Sequence, residues 1–242
     1  MKIDYWAKFE YNQYYHIYNR GVDGVNLFYN AKNYRYFLEK WLHYTYPFLK
    51  TYAYCLMPNH FHFIVSPNLD IFNNLDKEKY ADNIVLSNRI QAVQDNLMSI
   101  NDFLELQFKD YFGAYSKAIN KQEKRTGSLF QQRFKRVFLK DEYALAEKIC
   151  YTHHNPIHHG FCEQYNDWIY SSYHRFFSER PTILERKIVL DLFHRIAQVN
   201  NSKVTDIQIT DTSKVSVTSQ ITSLNSIHEN YRQKPMTNYD EI

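Results

Sequence analysis

Tyr54-Cys55-Leu56-Met57-Pro58-Asn59-His60-Phe61-His62-Phe63-Ile64-Val65 sets a Pro-Asn break between two apolar, aromatic runs. Such a break is turn chemistry, so residues 51–56 and 60–65 are expected as the two strands of a hairpin. Successive side chains of a strand point to opposite faces. On the returning strand Phe61, Phe63 and Val65 therefore share one packed face, and His60 and His62 share the other. Two imidazoles on one strand face can grip one metal ion together.

Working outward, Tyr14-Tyr15-His16-Ile17-Tyr18 is rich in strand-forming aromatics and stops at Asn19-Arg20-Gly21, which reads as a first strand and turn. Residues 33–46 carry Tyr36, Phe37, Trp41 and Tyr44 at near-helical spacing, with Pro47 to end the run. Residues 66–99 are polar and weakly periodic, and are expected as an inserted connection with at most one short helix. Leu104, Phe108, Phe112, Tyr115 and Ile119 predict a helix over 104–119. After Gly127 a strand is expected over 129–139, with basic and aromatic residues interleaved. Asp141 is an expected N-cap for the next helix, which should end near Asn155 because Pro156 cannot continue it. One more helix is expected over 184–199. Residues 200–242 are rich in Ser, Thr, Asn and Gln and are expected as a polar, disordered tail. The order of elements predicts an α+β chain: a split β-α-β antiparallel sheet with helices packed on it.

In 242 residues, 22 Tyr and 17 Phe stand against 5 Gly, which disfavours a turn-dense sandwich or a glycine-supplied barrel, and with it a barrel-type His-x-His metallohydrolase. The formal charge is only +3, but Lys121, Lys124, Arg125, Arg133, Lys135, Arg136 and Lys140 cluster with Glu123 as the single intervening acid. Such a stripe is an electrostatic footprint for phosphate backbones. Three cysteines without paired spacing, no secretory leader and no long apolar run are expected of an intracellular chain with reduced thiols and no membrane span.

Farther on, Tyr151-Thr152-His153-His154-Asn155-Pro156 puts Tyr151 and Asn155 four residues apart, on one face of a helix. With His60 and His62 they compose a constellation for metal-assisted attack by a tyrosine on a phosphodiester. The ion would act as a Lewis acid on the phosphate, and imidazole plus amide oxygen suits a divalent ion such as Mg or Mn. Tyr115, followed by Asn120 at a spacing that swings the two apart, is the competing nucleophile. Cys150, His153, His154, His158, His159 and Cys162 do not match paired-ligand zinc spacing.

Five ordered motifs resemble the single-tyrosine HUH transposases, and among them the REP-associated tyrosine transposases. They are residues 15–21, Met57-Pro58-Asn59-His60-Phe61-His62, Gly127-Ser128-Leu129-Phe130-Gln131, Tyr151-Thr152-His153-His154-Asn155-Pro156 and Asp167-Trp168-Ile169-Tyr170-Ser171-Ser172. The motifs cover about residues 11–175, and the resemblance implies a ferredoxin-like core. The expected division is a catalytic domain over 1–180 with 66–99 inserted, a helix over 181–199 and the 200–242 tail, the insertion and the tail lying outside the family pattern. The resemblance implies a divalent metal on His60 and His62 with Asn155 completing the site, and Tyr151 as nucleophile. Hairpin-containing single-stranded DNA would be the substrate, cleaved to a 5′-phosphotyrosine and a free 3′-hydroxyl. Arg20, Lys121, Lys124, Arg125, Arg133, Lys135 and Arg136 would contact DNA. A homodimer and a cytoplasmic, nucleoid-associated location complete these expectations. The alternative is a non-catalytic module that binds single-stranded DNA or RNA on the same sheet.

Overall fold

The computed structural model describes residues 3–73, 80–202 and 216–233. Strands β1 (Tyr14–Arg20), β2 (Leu49–Met57), β3 (His60–Pro67) and β4 (Lys135–Leu139) form one antiparallel sheet in the order β2-β3-β1-β4. Pro58 and Asn59 form the two-residue turn of the β2–β3 hairpin, and Met57 pairs with His60 across it. Helix α1 (Ala31–Tyr44) links β1 to β2, and α4 (Ile100–Gln122) precedes β4. Since β3 lies between β1 and β2, and β1 between β3 and β4, both crossovers are split β-α-β units, as expected and consistent with a ferredoxin-like arrangement.

One sheet face packs on α1 and α4. Asn30 caps α1 through the Lys32 and Asn33 amides, and the helix buries Tyr34, Phe37 and Trp41. The Trp41 ring stacks on Phe63 at 3.9 Å between centroids, and Phe37 meets Phe61 at 5.1 Å. Apolar burial at ~25 cal/mol per Å² makes this aromatic layer a stabilising contact of the sheet. The other face takes α5 (Glu142–His158), which packs against β2, β3 and β4. β3 is thus buried on both faces.

Four expectations need correction. Helix α5 is capped by Asp141 as predicted, yet runs through Pro156 to His158. A proline removes a single helical N–H, and near a helix end that loss is tolerated. The 66–99 connection holds two helices, α2 (Leu69–Asn73) and α3 (Ile84–Gln94), with residues 74–79 outside the described residues. The basic strand is short, because residues 129–134 loop before β4 begins at Lys135. Beyond α6 (Arg186–Ser202), the expected polar tail contains a helix, α7 (Val217–Arg232). Ile221, Leu224, Ile227 and Tyr231 recur every three or four residues and pack on the core, with Leu224 fully buried. Residues 203–215 and 234–242 of that tail lie outside the described residues.

The family-like motifs have local structural reasons. Gly21 donates its N–H to the Asn59 carbonyl at 2.8 Å, and a Cβ there would sit 2.0 Å from the Val25 carbonyl oxygen. Residues 168–172 run along the outer edge of β2. The Leu56 amide donates to the Tyr170 carbonyl, Trp168 Nε1 to the Leu56 carbonyl, and the Tyr54 amide to Ser172 Oγ. Tyr170 also stacks on Tyr34 at 3.6 Å.

Candidate active site

On β1 and β3 the register sets Tyr18 against His62 and Arg20 against His60, so these four side chains share the face covered by α5. His16 lies two residues from Tyr18 on that face. His60 and His62, two residues apart on β3, share one face with ring centroids 5.2 Å apart. Helix α5 crosses above them. The Tyr151 ring meets His62 at 5.7 Å and His16 at 5.9 Å, and His159, just past the helix end, meets His60 at 5.2 Å. Tyr151 and the histidine pair of the same chain therefore adjoin.

The histidines are held by neighbours. His60 Nδ1 lies 2.7 Å from Asn59 Oδ1, an acceptor, which makes Nδ1 the donor and puts the ring lone pair on Nε2. His62 Nδ1 lies 2.8 Å from His16 Nε2, and His16 is fully buried. A donor at His62 Nδ1 would likewise leave the lone pair on His62 Nε2. Metal-bound histidines are commonly oriented through the other ring nitrogen in this way. Asn155 is buried, and its Nδ2 donates to the Tyr151 carbonyl at 3.0 Å, which fixes the amide and leaves Oδ1 as the atom able to ligate. Among the described residues no group of three His, Cys, Asp or Glu side chains is disposed to hold an ion. The residues present would offer an ion two imidazole nitrogens, from His60 and His62, and the Asn155 oxygen, with water or substrate oxygens as further donors.

Lys148, one turn before Tyr151 on α5, places Nζ 4.3 Å from the centre of the Tyr151 ring. His16 and Lys148 were not singled out from the sequence. An i, i+3 pair on a predicted helix signals Lys148, whereas His16 becomes visible only once strand register is known.

The basic residues divide. Lys135, opposite Tyr18, lies on the histidine face with Nζ over the Tyr18 ring at 5.6 Å and the Tyr5 ring at 5.1 Å. Arg20 shares that face. Lys121, Lys124 and Arg133 are exposed, and Arg125 is half-buried. Arg136 pairs with Ile17 and points to the opposite face. It is 5% exposed, and its Nη2 donates to Glu105 at 2.8 Å. Arg136 thus does not add to an exposed stripe with Lys135, because alternation along a strand separates the two.

Tyr115 lies on α4, fully buried on the α1 side of the sheet, with its hydroxyl donating to the Leu27 carbonyl at 2.7 Å. Burial pushes its phenol well above the ordinary range. The histidines of the 153–159 crowd do not gather around an ion either. The Tyr54 amide donates to Ser172 Oγ, which lies 2.8 Å from His153 Nε2. His153 Nδ1 lies 2.9 Å from His228 Nε2, and His228 Nδ1 lies 2.8 Å from the Leu224 carbonyl. His228 Nδ1 donates to that terminal carbonyl, and with burial holding both rings neutral each donates at Nδ1 and accepts at Nε2. Cys55 and Cys162 are free thiols. No helix among the described residues is long and apolar enough to cross a membrane.

No protein-family model matches the chain. A Haemophilus influenzae protein named "Putative REP-associated tyrosine transposase" is 30% identical over 133 residues, 54% of this chain and 61% of the relative. The chain thus spans less than two thirds of that relative's length. A solved structure of a REP-associated tyrosine transposase bound to a REP hairpin aligns at 13% identity, covering 72% of this chain and 86% of that one, with a TM-score of 0.49. The motif resemblance and the curated similarity point the same way: over 133 residues the chain is similar to a protein named as a REP-associated tyrosine transposase.

Proposed function

We propose that the protein cleaves and rejoins hairpin-containing single-stranded DNA through a covalent tyrosine intermediate. The observation that carries this is the packing of Tyr151 on α5 against His62 of β3, at 5.7 Å between rings.

In the proposed reaction Tyr151 Oη attacks the phosphorus as the phenol loses its proton. The bond from phosphorus to the 3′-oxygen breaks, the leaving oxygen takes up a proton, and the 5′-phosphate stays on Tyr151. A 3′-hydroxyl attacking the phosphotyrosine reverses these changes and rejoins a strand. A divalent ion, Mg or Mn, held by His60, His62 and Asn155 would supply Lewis-acid charge at the phosphate. Asn59 and His16 keep the two imidazoles oriented. Lys148 offsets negative charge beside the nucleophile, while Arg20 and Lys135 meet flanking phosphates. Two copies per assembly remain part of the proposal, with light scattering as its measure.

The non-catalytic alternative is favoured by one fact: His62 is 3% exposed and Tyr151 9% exposed. DNA must open this face before a phosphate reaches it. Incubation of the protein with hairpin DNA and Mg or Mn decides between the two. A denaturant-resistant adduct mapped by mass spectrometry to Tyr151, carrying the strand 3′ of the break, supports transfer. Binding without any adduct supports the module.

A further inference from the structure

His153 follows Tyr151 by two residues, about 200° around helix α5, and leaves it on the side away from His62. There it is 1% exposed, between the Tyr173 and Phe176 rings at 5.6 and 5.8 Å, in a hydrogen-bonded relay that no step of the proposed chemistry uses. We infer that His153, Ser172 and His228 are positioning residues for Tyr151, a role that rests on the strand-transfer reading above. Together they fix the roll of α5 over the sheet, and with it the reach of the phenol to His60 and His62.

Strand register places the relay at the height of the site. It starts at the Tyr54 amide, and Tyr54 stands opposite Phe63, the neighbour of His62 on β3. Through Ser172 it arrives at His153, two residues from Tyr151. Polar contacts of 2.9 and 2.8 Å thus tie the strand pair that carries His62 to the helix that carries the nucleophile. Apolar packing alone lets a helix roll, whereas hydrogen bonds are directional.

The relay is also complete. The Tyr54 amide donates to Ser172 Oγ, the Ser172 hydroxyl to His153 Nε2, His153 Nδ1 to His228 Nε2 and His228 Nδ1 to the Leu224 carbonyl. Each ring is engaged at both nitrogens, so neither turns without leaving a buried polar atom unpaired. The last acceptor comes from α7, which packs on α5 and α6. His228 is itself fixed there, because the Tyr165 hydroxyl donates to its carbonyl at 2.9 Å and the Phe193 ring stacks on it at 5.4 Å. The sheet holds α5 from the front and α7 holds it from behind.

His228→Gln sets an amide oxygen near the place of Nε2 and keeps an acceptor for His153, whereas His228→Leu removes it. Ser172→Ala cuts the relay at its other end, and it carries the test alone if the leucine variant does not fold. Single-turnover adduct formation with hairpin DNA and Mn, and hairpin affinity, are measured on the full chain below its melting temperature. In a parallel sample 3-fluorotyrosine at position 151 reports the surroundings of the ring whether or not the protein is catalytic. His228→Leu and Ser172→Ala should slow the adduct about 10- to 100-fold, the scale of a misplacement near ~1 Å. Both should shift the fluorine resonance and leave hairpin affinity unchanged, and His228→Gln should restore rate and resonance. A wild-type rate and resonance in the leucine and alanine variants overturns the inference. So does a loss of rate and of hairpin binding that is equal in His228→Leu and His228→Gln. A resonance that shifts with leucine and returns with glutamine, while the wild type forms no adduct, upholds the positioning of Tyr151 and overturns strand transfer instead.

Discussion

His16 Nε2 and His62 Nδ1 lie 2.8 Å apart, joining the middle of β1 to the centre of the candidate site. His16 cannot reach the substrate side of His62 while it holds that nitrogen, so it orients the ring. His16→Ala should weaken Mn binding about 10- to 100-fold, the usual cost of losing such a partner. Calorimetric titration of the variant checks this. Affinity equal to wild type would leave His16 as simple core.

Tyr151→Phe should abolish the covalent DNA adduct, while Tyr115→Phe should keep it. The Tyr115 substitution removes the donor to the Leu27 carbonyl and should cost ~1–3 kcal/mol of stability. Adduct gels and urea denaturation of both variants provide the comparison. An adduct lost with Tyr115→Phe and retained with Tyr151→Phe exchanges the two roles.

Lys148→Met keeps the apolar stem and removes the charge near the Tyr151 ring. Single-turnover adduct formation should slow about tenfold, equivalent to ~1.4 kcal/mol of barrier, with little change in DNA affinity. A variant as fast as wild type would make Lys148 a surface residue with no part in the chemistry.

Two glycines should respond in opposite senses to alanine. Gly21→Ala forces a Cβ against the Val25 carbonyl oxygen, and a forced shift of this kind costs ~1–3 kcal/mol. Gly113→Ala adds a methyl group within α4 where nothing stands within 4 Å, and should stabilise by ~0.5–1 kcal/mol. Melting temperatures report both. A rise with Gly21→Ala would contradict the turn geometry.

Acid should loosen the α5–α7 contact. Burial pushes His228 down to about 4 and His153 well below the usual imidazole range. Above the unfolded value of ~6.5 both states are neutral and stability is full. Between that value and about 4 only the unfolded chain takes the His228 proton, so stability falls as pH falls. The slope is at most ~1.4 kcal/mol per pH unit for each such histidine. Denaturation at pH 7.5 and 5 should show a larger loss in wild type than in His228→Gln. Equal losses would exclude the His153–His228 pair as the cause.

The hairpin, both split crossovers and the long helices were legible because aromatic periodicity was strong around Pro58, Trp41 and Phe108. The last helix was not: Ile221, Leu224 and Tyr231 are diluted by Ser, Thr and Asn, and only packing on α6 and α5 selects them. At the site, same-strand and same-helix spacing brought out His60, His62 and Tyr151. It could not bring out His16, whose partner depends on which residue of β3 stands opposite. The placement of Arg136 was available from alternation alone, since neighbours on a strand part company.

The outer edge of β2 is bonded at Thr51 by Glu185, at Tyr54 by Ser172 and at Leu56 by Tyr170. All three partners come after α5 in the chain. A fragment ending at residue 160 would keep every proposed catalytic side chain yet bare a nine-residue strand ready to template other chains. Such a fragment should precipitate, and the segment after α5 is what keeps the chain from sticking to itself.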